Sequence, residues 1–195
     1  MGANESMKLV KMEKVRNGKY LKNYELTYLN KAGKEKKYEM VSRHDLKSPE
    51  DIGKQSSGVS IVAFQDGKLL LLKEFRMGVN KYVYNLCAGM LECDETVEEC
   101  IKRELYEEAG LKVKKIMDIL PPSYAAVAIS DTKTHIVFAQ VEGEIADHTS
   151  ENEGIIAGLY TKEEVSSLLQ KEQFSSRAQI IAYYFSKSLD IMKSE

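Results

Sequence analysis

The spacing of hydrophobic residues predicts that the first part of the chain folds mainly as β-strands. Residues 8–43 have the composition and spacing of strands, and the segments 20–29 and 37–43 are separated by the turn-like sequence NKAGKE. This arrangement predicts an antiparallel hairpin in a small N-terminal sheet that lies apart from the main core. Residues 44–56 are polar and contain a proline and a glycine, so they are predicted to form a linker.

Two longer apolar segments predict a second hairpin. Residues 58–65 and 68–76 read GVSIVAFQ and KLLLLKEFR, and they flank Asp66-Gly67, a pair that favours a type I′ turn. Because both segments are almost continuously apolar, they are predicted to be central strands that are buried on both faces. Further strands are predicted at Tyr82–Cys87, Val113–Leu120, Thr134–Val141 and Ile155–Tyr160.

Three segments have the three- and four-residue apolar spacing of amphipathic helices. The first has Asp94 as its predicted N-cap, ends at Gly110, and has an apolar face of Val97, Cys100, Ile101 and Leu105. Thr161 opens the second helix, with Glu164 as the partner in a capping box. Ser175 or Ser176 opens the third, whose apolar residues are Ile180, Ile181, Tyr184, Phe185, Leu189 and Met192. This order of elements predicts an α/β fold with a mixed sheet between helices, an α/β/α sandwich.

The first helix carries an unusual cluster of charged residues. Glu104 and Glu108 lie four residues apart on one face, Glu107 flanks them, and Arg103 precedes Glu107 by one helical turn. Like charges at this spacing destabilise an isolated helix by roughly 0.2–0.5 kcal/mol per pair. Two interpretations follow. The residues form a solvated acidic face with Arg103 as its counter-ion, or they bind a hard divalent cation such as Mg²⁺ through oxygen ligands.

Residues 89–111, GMLECDETVEECIKRELYEEAGL, fill every fixed position of the pattern G-x5-E-x7-R-E-U-x-E-E-x-G-U, in which U is aliphatic. Through this segment the chain resembles the Nudix family. The resemblance implies an α/β/α sandwich that hydrolyses a nucleoside diphosphate linked to another group. It implies Mg²⁺, with Mn²⁺ as an alternative, bound by the main-chain carbonyl of Ala88 and by Glu104, Glu107 and Glu108. Arg103, which we group with the catalytic residues, is expected to orient Glu107 and Glu95 rather than to contact the substrate.

A later loop is predicted to supply the general base. The segment EGEIADHTSENEG follows the strand that ends at Val141 and contains several carboxylates. By composition alone it is a solvated loop. Glu151-Asn152-Glu153 resembles the corresponding loop of bacterial ADP-ribose pyrophosphatases, in which the first glutamate acts as the base. Glu151 is therefore the predicted base, with Glu153 as the alternative.

The region before the box resembles the ADP-sugar pyrophosphatases in part. Their pattern Q-[YF]-R followed by P-A-G corresponds here to residues 74–76 and 87–89, with Glu74 in place of glutamine and Cys87 in place of proline. Arg76 is predicted to bind phosphate, since a guanidinium makes bidentate contacts with phosphate oxygens. Its alternative role is a surface salt bridge. A second departure follows Pro121-Pro122, where the loop is longer and more apolar, and Asp131 stands where relatives commonly have glutamate.

The N-terminal hairpin resembles the same subfamily. The resemblance implies that Tyr20 and Tyr38 sandwich an adenine, and that Glu39 and Arg43 help to bind the nucleotide. The alternative is that the tyrosines pack the sheet. It also implies a homodimer with exchanged N-terminal sheets. We predict a dimerisation and base-binding region at residues 1–48 and a hydrolase domain at residues 57–195.

Composition narrows the classes of protein to which the chain can belong. It has 195 residues, of which 43% are hydrophobic and 30% charged, with a net charge of −2. These values are typical of a globular protein and predict no nucleic-acid partner. No apolar run approaches 18 residues, so no membrane association is predicted. A polar N-terminus and three cysteines predict reduced thiols and a cytoplasmic location.

The leading hypothesis is metal-dependent hydrolysis of a small nucleotide sugar, most specifically ADP-ribose, to AMP and ribose 5-phosphate. A broader nucleoside-diphosphate-sugar or dinucleotide pyrophosphatase is the second hypothesis. A non-catalytic nucleotide-sensing module is the third, although such a sensor would not require every metal ligand of the box.

Overall fold

The computed structural model describes residues 7–187. In chain order the strands are β1 (Lys8–Asn17), β2 (Lys22–Leu29), β3 (Glu35–Ser42), β4 (Gly58–Gln65), β5 (Lys68–Arg76), β6 (Lys81–Asn85), β7 (Cys87–Met90), β8 (Lys112–Ile119), β9 (Ser123–Tyr124), β10 (Lys133–Glu142) and β11 (Ile155–Tyr160). The helices are α1 (Val97–Ala109), α2 (Lys162–Lys171) and α3 (Ser176–Ser186). Leu189 and Met192, predicted to extend the last helix, lie outside the described residues.

By its internal contacts the chain divides into two compact units. The first contains the residues up to Ser57 together with Pro122–Thr134, and the second contains Gly58–Pro121 and the residues from His135 onward. The domain boundaries predicted at residues 48 and 57 do not include the segment 122–134 in the N-terminal region, and they stay a prediction.

The first unit contains the antiparallel sheet β1-β2-β3. The sheet was expected to lack a core of its own, but it has a small one, whose buried residues are Tyr24, Leu26, Met40 and Leu46. Leu46 belongs to the segment predicted to be a polar linker. That segment instead packs against the sheet, because the Leu46 side chain is buried and its N–H donates to the Tyr24 hydroxyl at 2.8 Å. A short 3₁₀ turn at Pro49–Asp51 follows.

The second unit is organised around the sheet path β11-β5-β4-β10-β8, with β6 paired to β5 and β7 paired to β4. The predicted hairpin is confirmed: Asp66 and Gly67 have φ of 49° and 74°, the positive values that a type I′ turn requires. The strand predicted at Tyr82–Cys87 is present as β6 but ends at Asn85, and Cys87 begins a separate strand, β7. The chain changes its hydrogen-bonding neighbour at the buried Leu86, so β6 pairs with β5 and β7 with β4.

Alternation along the central strands produces two cores on opposite faces of this sheet. In β4, Ile61 and Ala63 face α1, whereas Val62 and Phe64 face α2 and α3. Successive side chains of a strand point to opposite faces, so continuous hydrophobicity is what a sheet covered on both sides requires. The predicted α/β/α sandwich is confirmed. Within residues 7–187, no helix has the length and hydrophobicity needed to cross a membrane.

Candidate active site

The acidic helix α1 begins two residues later than predicted. Thr96, not Asp94, is the N-cap: its hydroxyl accepts from the Glu99 N–H at 3.2 Å, and its N–H donates to the Glu99 carboxylate at 2.9 Å. Asp94 lies in the preceding turn with φ of 63°. Both residue types are good N-caps, and the reciprocal bond with Glu99 favours Thr96. The predicted end at Gly110 is confirmed by its φ of 70°.

Arg103 connects α1 to the turn before it. Its guanidinium donates to both carboxylate oxygens of Glu95, at 2.8 and 2.9 Å, and to the Met90 carbonyl at 2.9 Å. It also donates to Glu104 at 2.7 Å and to Glu107 at 3.1 Å. The Arg103 side chain beside Glu95 lowers the pKa of that carboxyl to about 2. Arg103 therefore has the hydrogen bonds needed to orient the carboxylates of Glu95, Glu104 and Glu107.

Glu104 and Glu108 lie against consecutive residues of β7. The Glu104 carboxylate occupies the space next to Gly89, where an added Cβ would come within 1.6 Å of it. The Glu108 carboxylate accepts from the Ala88 N–H at 3.0 Å. The spacing of four residues on α1 therefore becomes a pair of carboxylates over Ala88 and Gly89.

Burial of these two carboxylates is electrostatically unfavourable. Glu104 is only 7% exposed, and its pKa is raised chiefly by burial, although Arg103 opposes the shift. Burial raises the pKa of Glu108 to about 8, and the charges of Glu104 and Glu74 add to this effect. Hydrogen bonds from the Cys87 thiol and the Ala88 N–H oppose this shift but do not cancel it.

A second feature of the same unit is a cleft of about 290 Å³ at the end of β5. It is lined by Glu74, Phe75, Arg76, Met77, Gly78, Asn152, Glu153, Gly154 and Ile155. The structure thus brings the predicted residues Arg76 and Glu153 to one cleft, whereas Glu151 is not among its lining residues. The Arg76 guanidinium forms an ion pair with Glu74. This is the alternative role foreseen for it, and phosphate binding stays a prediction.

The two candidate bases differ in their contacts. One Glu153 oxygen accepts from the Ser150 N–H at 3.2 Å and from the Ser150 hydroxyl at 2.9 Å, which folds the loop on itself. The exposed Glu151 has no hydrogen bond or ion pair within the part of the chain that the structure describes.

The nucleotide-binding residues predicted in the first unit are all exposed. The Tyr38 hydroxyl donates to the Ala128 carbonyl, and its ring borders a cleft of about 260 Å³. Tyr20 is not among the residues that line this cleft; it is 69% exposed, with the Lys19 ammonium 5.1 Å from its ring centre. Glu39 and Arg43 are not among the residues that form the small core. The adenine sandwich stays a prediction.

Asp131, at the position of a departure from the relatives, has a structural contact within the first unit. It is buried, and its Oδ2 accepts from the Gly53 N–H at 3.2 Å. The other oxygen has no hydrogen-bond partner among the described residues.

Comparison with known proteins decides the family. Residues 54–184 match the NUDIX domain. The chain belongs to the Nudix hydrolase family. It is 29% identical to a mouse ADP-sugar pyrophosphatase over 139 residues, which cover 69% of this chain and 61% of the mouse protein. It is 32% identical to an ADP-ribose pyrophosphatase of Bacillus subtilis over 94 residues, which cover 48% of this chain and 50% of that protein. The chain thus aligns with less than two thirds of either relative.

A solved structure has a similar fold over nearly the same length of chain. The crystal structure of an ADP compounds hydrolase superposes with a TM-score of 0.73 and covers 97% of each chain, at 21% sequence identity. At this level of identity the likeness concerns the fold.

The Nudix helix has donor chemistry that fits a hard divalent cation. Among residues 7–187, no three His, Cys, Asp or Glu side chains converge closely enough to form a ready-made metal site. Glu104 and Glu108 are nevertheless desolvated carboxylates, and a nearby cation would offset the cost of their charge. Oxygen ligands are those that Mg²⁺ prefers. Nudix hydrolases generally need a divalent metal, and Glu104 and Glu108 have the oxygen donors that could hold one.

Two features of the Nudix unit were not predicted from the sequence. Glu74 places another carboxylate, with a side chain only 12% exposed, where its charge acts on Glu108. The sequence contained a signal for this carboxylate, because Glu74 replaces the glutamine of the Q-[YF]-R pattern. The second is a stack of Tyr106 on His148, which no local pattern indicated because 42 positions separate the two residues.

Proposed function

We propose that this Nudix protein hydrolyses the pyrophosphate bond of a nucleoside diphosphate sugar, most specifically ADP-ribose, to AMP and ribose 5-phosphate. The observation that carries the proposal is the pair of desolvated carboxylates over Ala88 and Gly89, within a complete Nudix box. The names of the mouse and Bacillus relatives, an ADP-sugar and an ADP-ribose pyrophosphatase, support this substrate class.

The proposed metal ligands are Glu104, Glu107, Glu108 and the main-chain carbonyl of Ala88. When bound, Mg²⁺, or Mn²⁺ as an alternative, would neutralise pyrophosphate charge and lower the pKa of a bound water. Arg103 keeps Glu104 and Glu107 oriented through its hydrogen bonds. Arg76 would exchange its ion pair with Glu74 for a bidentate contact with phosphate.

Glu151 is the proposed general base, with Glu153 as the alternative. The hydrogen bonds from Ser150 engage Glu153 in folding the loop, which leaves Glu151 available to accept a proton. A loop position also suits a residue that closes onto the substrate after binding.

The adenine site is proposed to form from Tyr20, Tyr38, Glu39 and Arg43, with the sheets of residues 1–48 exchanged in a homodimer. The first unit supports this proposal because its described sheet exposes several apolar side chains. Val10 and Val15 in β1 and Tyr38 in β3 are 45%, 62% and 40% exposed. A three-stranded sheet with so small a core is stabilised when another surface covers it. A cytoplasmic location stays a prediction.

A product-release assay tests the proposal. The protein is incubated with Mg²⁺ and, separately, ADP-ribose, GDP-mannose, NADH and diadenosine polyphosphates, and the products are resolved by chromatography. We expect AMP and ribose 5-phosphate from ADP-ribose at the highest kcat/KM. Turnover of GDP-mannose alone would refute the ADP-sugar assignment. Comparable rates on all four would favour the broader pyrophosphatase, and binding without turnover would favour the nucleotide-sensing module.

A further inference from the structure

The loop that carries both candidate bases, residues 143–154, is anchored at its two ends. At the start, the Gln65 side-chain amide donates to the Gly143 carbonyl at 3.0 Å. At the end, the Phe75 N–H donates to the Gly154 carbonyl at 2.8 Å. Both bonds join the loop to neighbouring strands of the central sheet, so neither depends on the Nudix helix.

Between these anchors the loop is attached to the C-terminal end of α1. The Tyr106 ring stacks on the His148 ring, with centroids 4.5 Å apart and planes inclined by 12°. Next to this stack, the Ala146 N–H donates to the Ala109 carbonyl at 3.0 Å. We refer to Tyr106, Ala109, Ala146 and His148 as the α1 clasp.

Gly110 makes the close approach in the clasp possible. A Cβ at this position would lie 2.6 Å from the Ala146 Cβ and 2.7 Å from the Ala146 nitrogen. The glycine that ends α1 with a positive φ therefore also admits the loop to the helix end. The attachment of the loop to α1 therefore depends on the backbone at Ala109 and Gly110 as well as on the Tyr106 and His148 rings.

The Tyr106–His148 stack lies outside the cores of the fold. Tyr106 is 49% exposed and His148 is also exposed. The stack buries little apolar surface and contributes little to the α/β/α core. The stack acts on the loop instead. With the clasp in place the unattached segment spans residues 149–153. Loss of the stack alone extends it to residues 147–153, and loss of the Ala146–Ala109 hydrogen bond as well extends it to residues 144–153.

We propose that Tyr106 and His148 are positioning residues that hold the loop against the Nudix helix and thereby place the Glu151 carboxylate relative to Glu104 and Glu108. The role of Glu151 rests on the proposed function, whereas the attachment of the loop does not. A longer free segment samples more conformations, so loss of the clasp lowers the fraction of molecules with the base in a productive position.

Hydrogen exchange tests the clasp without reference to activity. We expect Tyr106→Ala and His148→Ala each to accelerate exchange of the Ala146 amide by about 2- to 12-fold, the factor that corresponds to the energy of an aromatic pair. The double variant should show little further acceleration, because either change alone removes the stack. Tyr183→Ala is the matched control, since Tyr183 is a helical tyrosine of similar exposure, 52%, whose ring contacts Tyr184.

Kinetics test the positioning role. On ADP-ribose with saturating Mg²⁺, Tyr106→Ala should lower kcat by about the same 2- to 12-fold with little change in KM, because the base acts in the transition state. Tyr106→Phe and His148→Phe keep a stacked ring, so both should retain near wild-type exchange and kcat. Circular dichroism verifies that each variant is folded.

The outcomes separate the two proposals. Unchanged exchange at Ala146 in both alanine variants would overturn the clasp. Faster exchange with unchanged kcat would overturn the positioning role and leave only a structural contact. A wild-type protein that hydrolyses no pyrophosphate would refute the proposed function, while the exchange result would still decide whether the clasp holds the loop.

Discussion

Glu108 is the residue at which burial and charge conflict most directly. Its carboxylate accepts from two neutral donors, the Cys87 thiol and the Ala88 N–H, yet its pKa is raised to about 8, chiefly by burial. Because the pKa of the folded state exceeds that of the unfolded chain, the native state binds the extra proton. The contribution of Glu108 to the free energy of unfolding is therefore fully present below the unfolded pKa of about 4.3. It is lost as the pH rises through the folded pKa of about 8.

Glu108→Gln should reverse the pH response of the metal-free protein. In EDTA we expect the variant to have a higher Tm than the wild type at pH 8 and a similar Tm at pH 5, because the neutral amide carries no desolvation penalty. On addition of Mg²⁺ the wild type should gain Tm and the variant should gain little. Differential scanning fluorimetry measures both, with the exposed Glu98→Gln as the control. An equal Mg²⁺ response in the two proteins would exclude Glu108 as a ligand.

Two single substitutions in the same loop distinguish the two candidate bases, Glu151 and Glu153. Glu151→Gln should lower kcat by at least about 100-fold, the usual scale for loss of a general base. Glu153→Gln should lower it less, because that change loosens the Ser150 contact without removing the base. Steady-state kinetics on ADP-ribose measure both variants. If Glu153→Gln shows the larger loss, the assignments of the two residues must be exchanged.

At the scale of elements, the close contact between α1 and β7 determines where the carboxylates lie. β7 presents Gly89 to the helix, and the Glu104 carboxylate fills the space that a side chain would occupy. The helix and the strand are adjacent in the chain, but their contact depends on the change of strand partner at Leu86. That change was not predicted, since residues 82–87 have the pattern of one continuous strand.

Gly89→Ala should therefore displace the Glu104 carboxylate, because Gly89 lies directly against α1. The new Cβ would lie 1.6 Å from the Glu104 Oε1, so the Glu104 side chain must move or β7 must separate from α1. We expect a loss of about 1–3 kcal/mol in the free energy of unfolding, the cost of overpacking, and a weaker Mg²⁺-dependent rise in Tm.

Gly78→Ala is the control for that experiment, because an added Cβ meets no atom within 4 Å at Gly78. Urea denaturation with and without Mg²⁺ measures the two variants side by side. Equal stability and an equal Mg²⁺ response would contradict the assigned contact.

At the scale of the whole molecule, the chain consists of two units with cores of very different size. The core of the first unit consists of three buried residues of its sheet, Tyr24, Leu26 and Met40, with Leu46 packed against them, whereas the second unit has a core on each face of its sheet. If the N-terminal sheets are exchanged as proposed, each active site combines the first unit of one chain with the Nudix helix of the other. The activity of a mixed dimer can then be calculated from the number of intact sites.

Mixing two inactive variants should restore activity if the sheets are exchanged. Tyr38→Ala alters the first unit and Glu108→Gln alters the Nudix helix, so a heterodimer of the two contains one intact site. With random assembly, half of the dimers are heterodimers with half of their sites intact, and we expect about a quarter of the wild-type activity. Analytical ultracentrifugation verifies the dimer. A monomer at micromolar concentration, or no recovery after subunit exchange, would contradict the exchanged-sheet arrangement.

The sequence by itself determined the features that depend on residues close together in the chain. The spacing of Glu104 and Glu108, the type I′ turn at Asp66-Gly67 and the C-cap at Gly110 follow from local conformational preferences and helical periodicity. The α/β/α layering follows from the continuous hydrophobicity of β4 and β5, which requires cover on both faces.

Only the tertiary structure decided the features that depend on residues far apart in the chain. It placed the Glu104 and Glu108 carboxylates over Ala88 and Gly89, and it joined residues 143–154 to α1 through the clasp. A hydrophobic pattern states which side of an element is buried, but it does not state which distant segment lies against it. The desolvation that shifts the pKa of Glu108 arises from that packing.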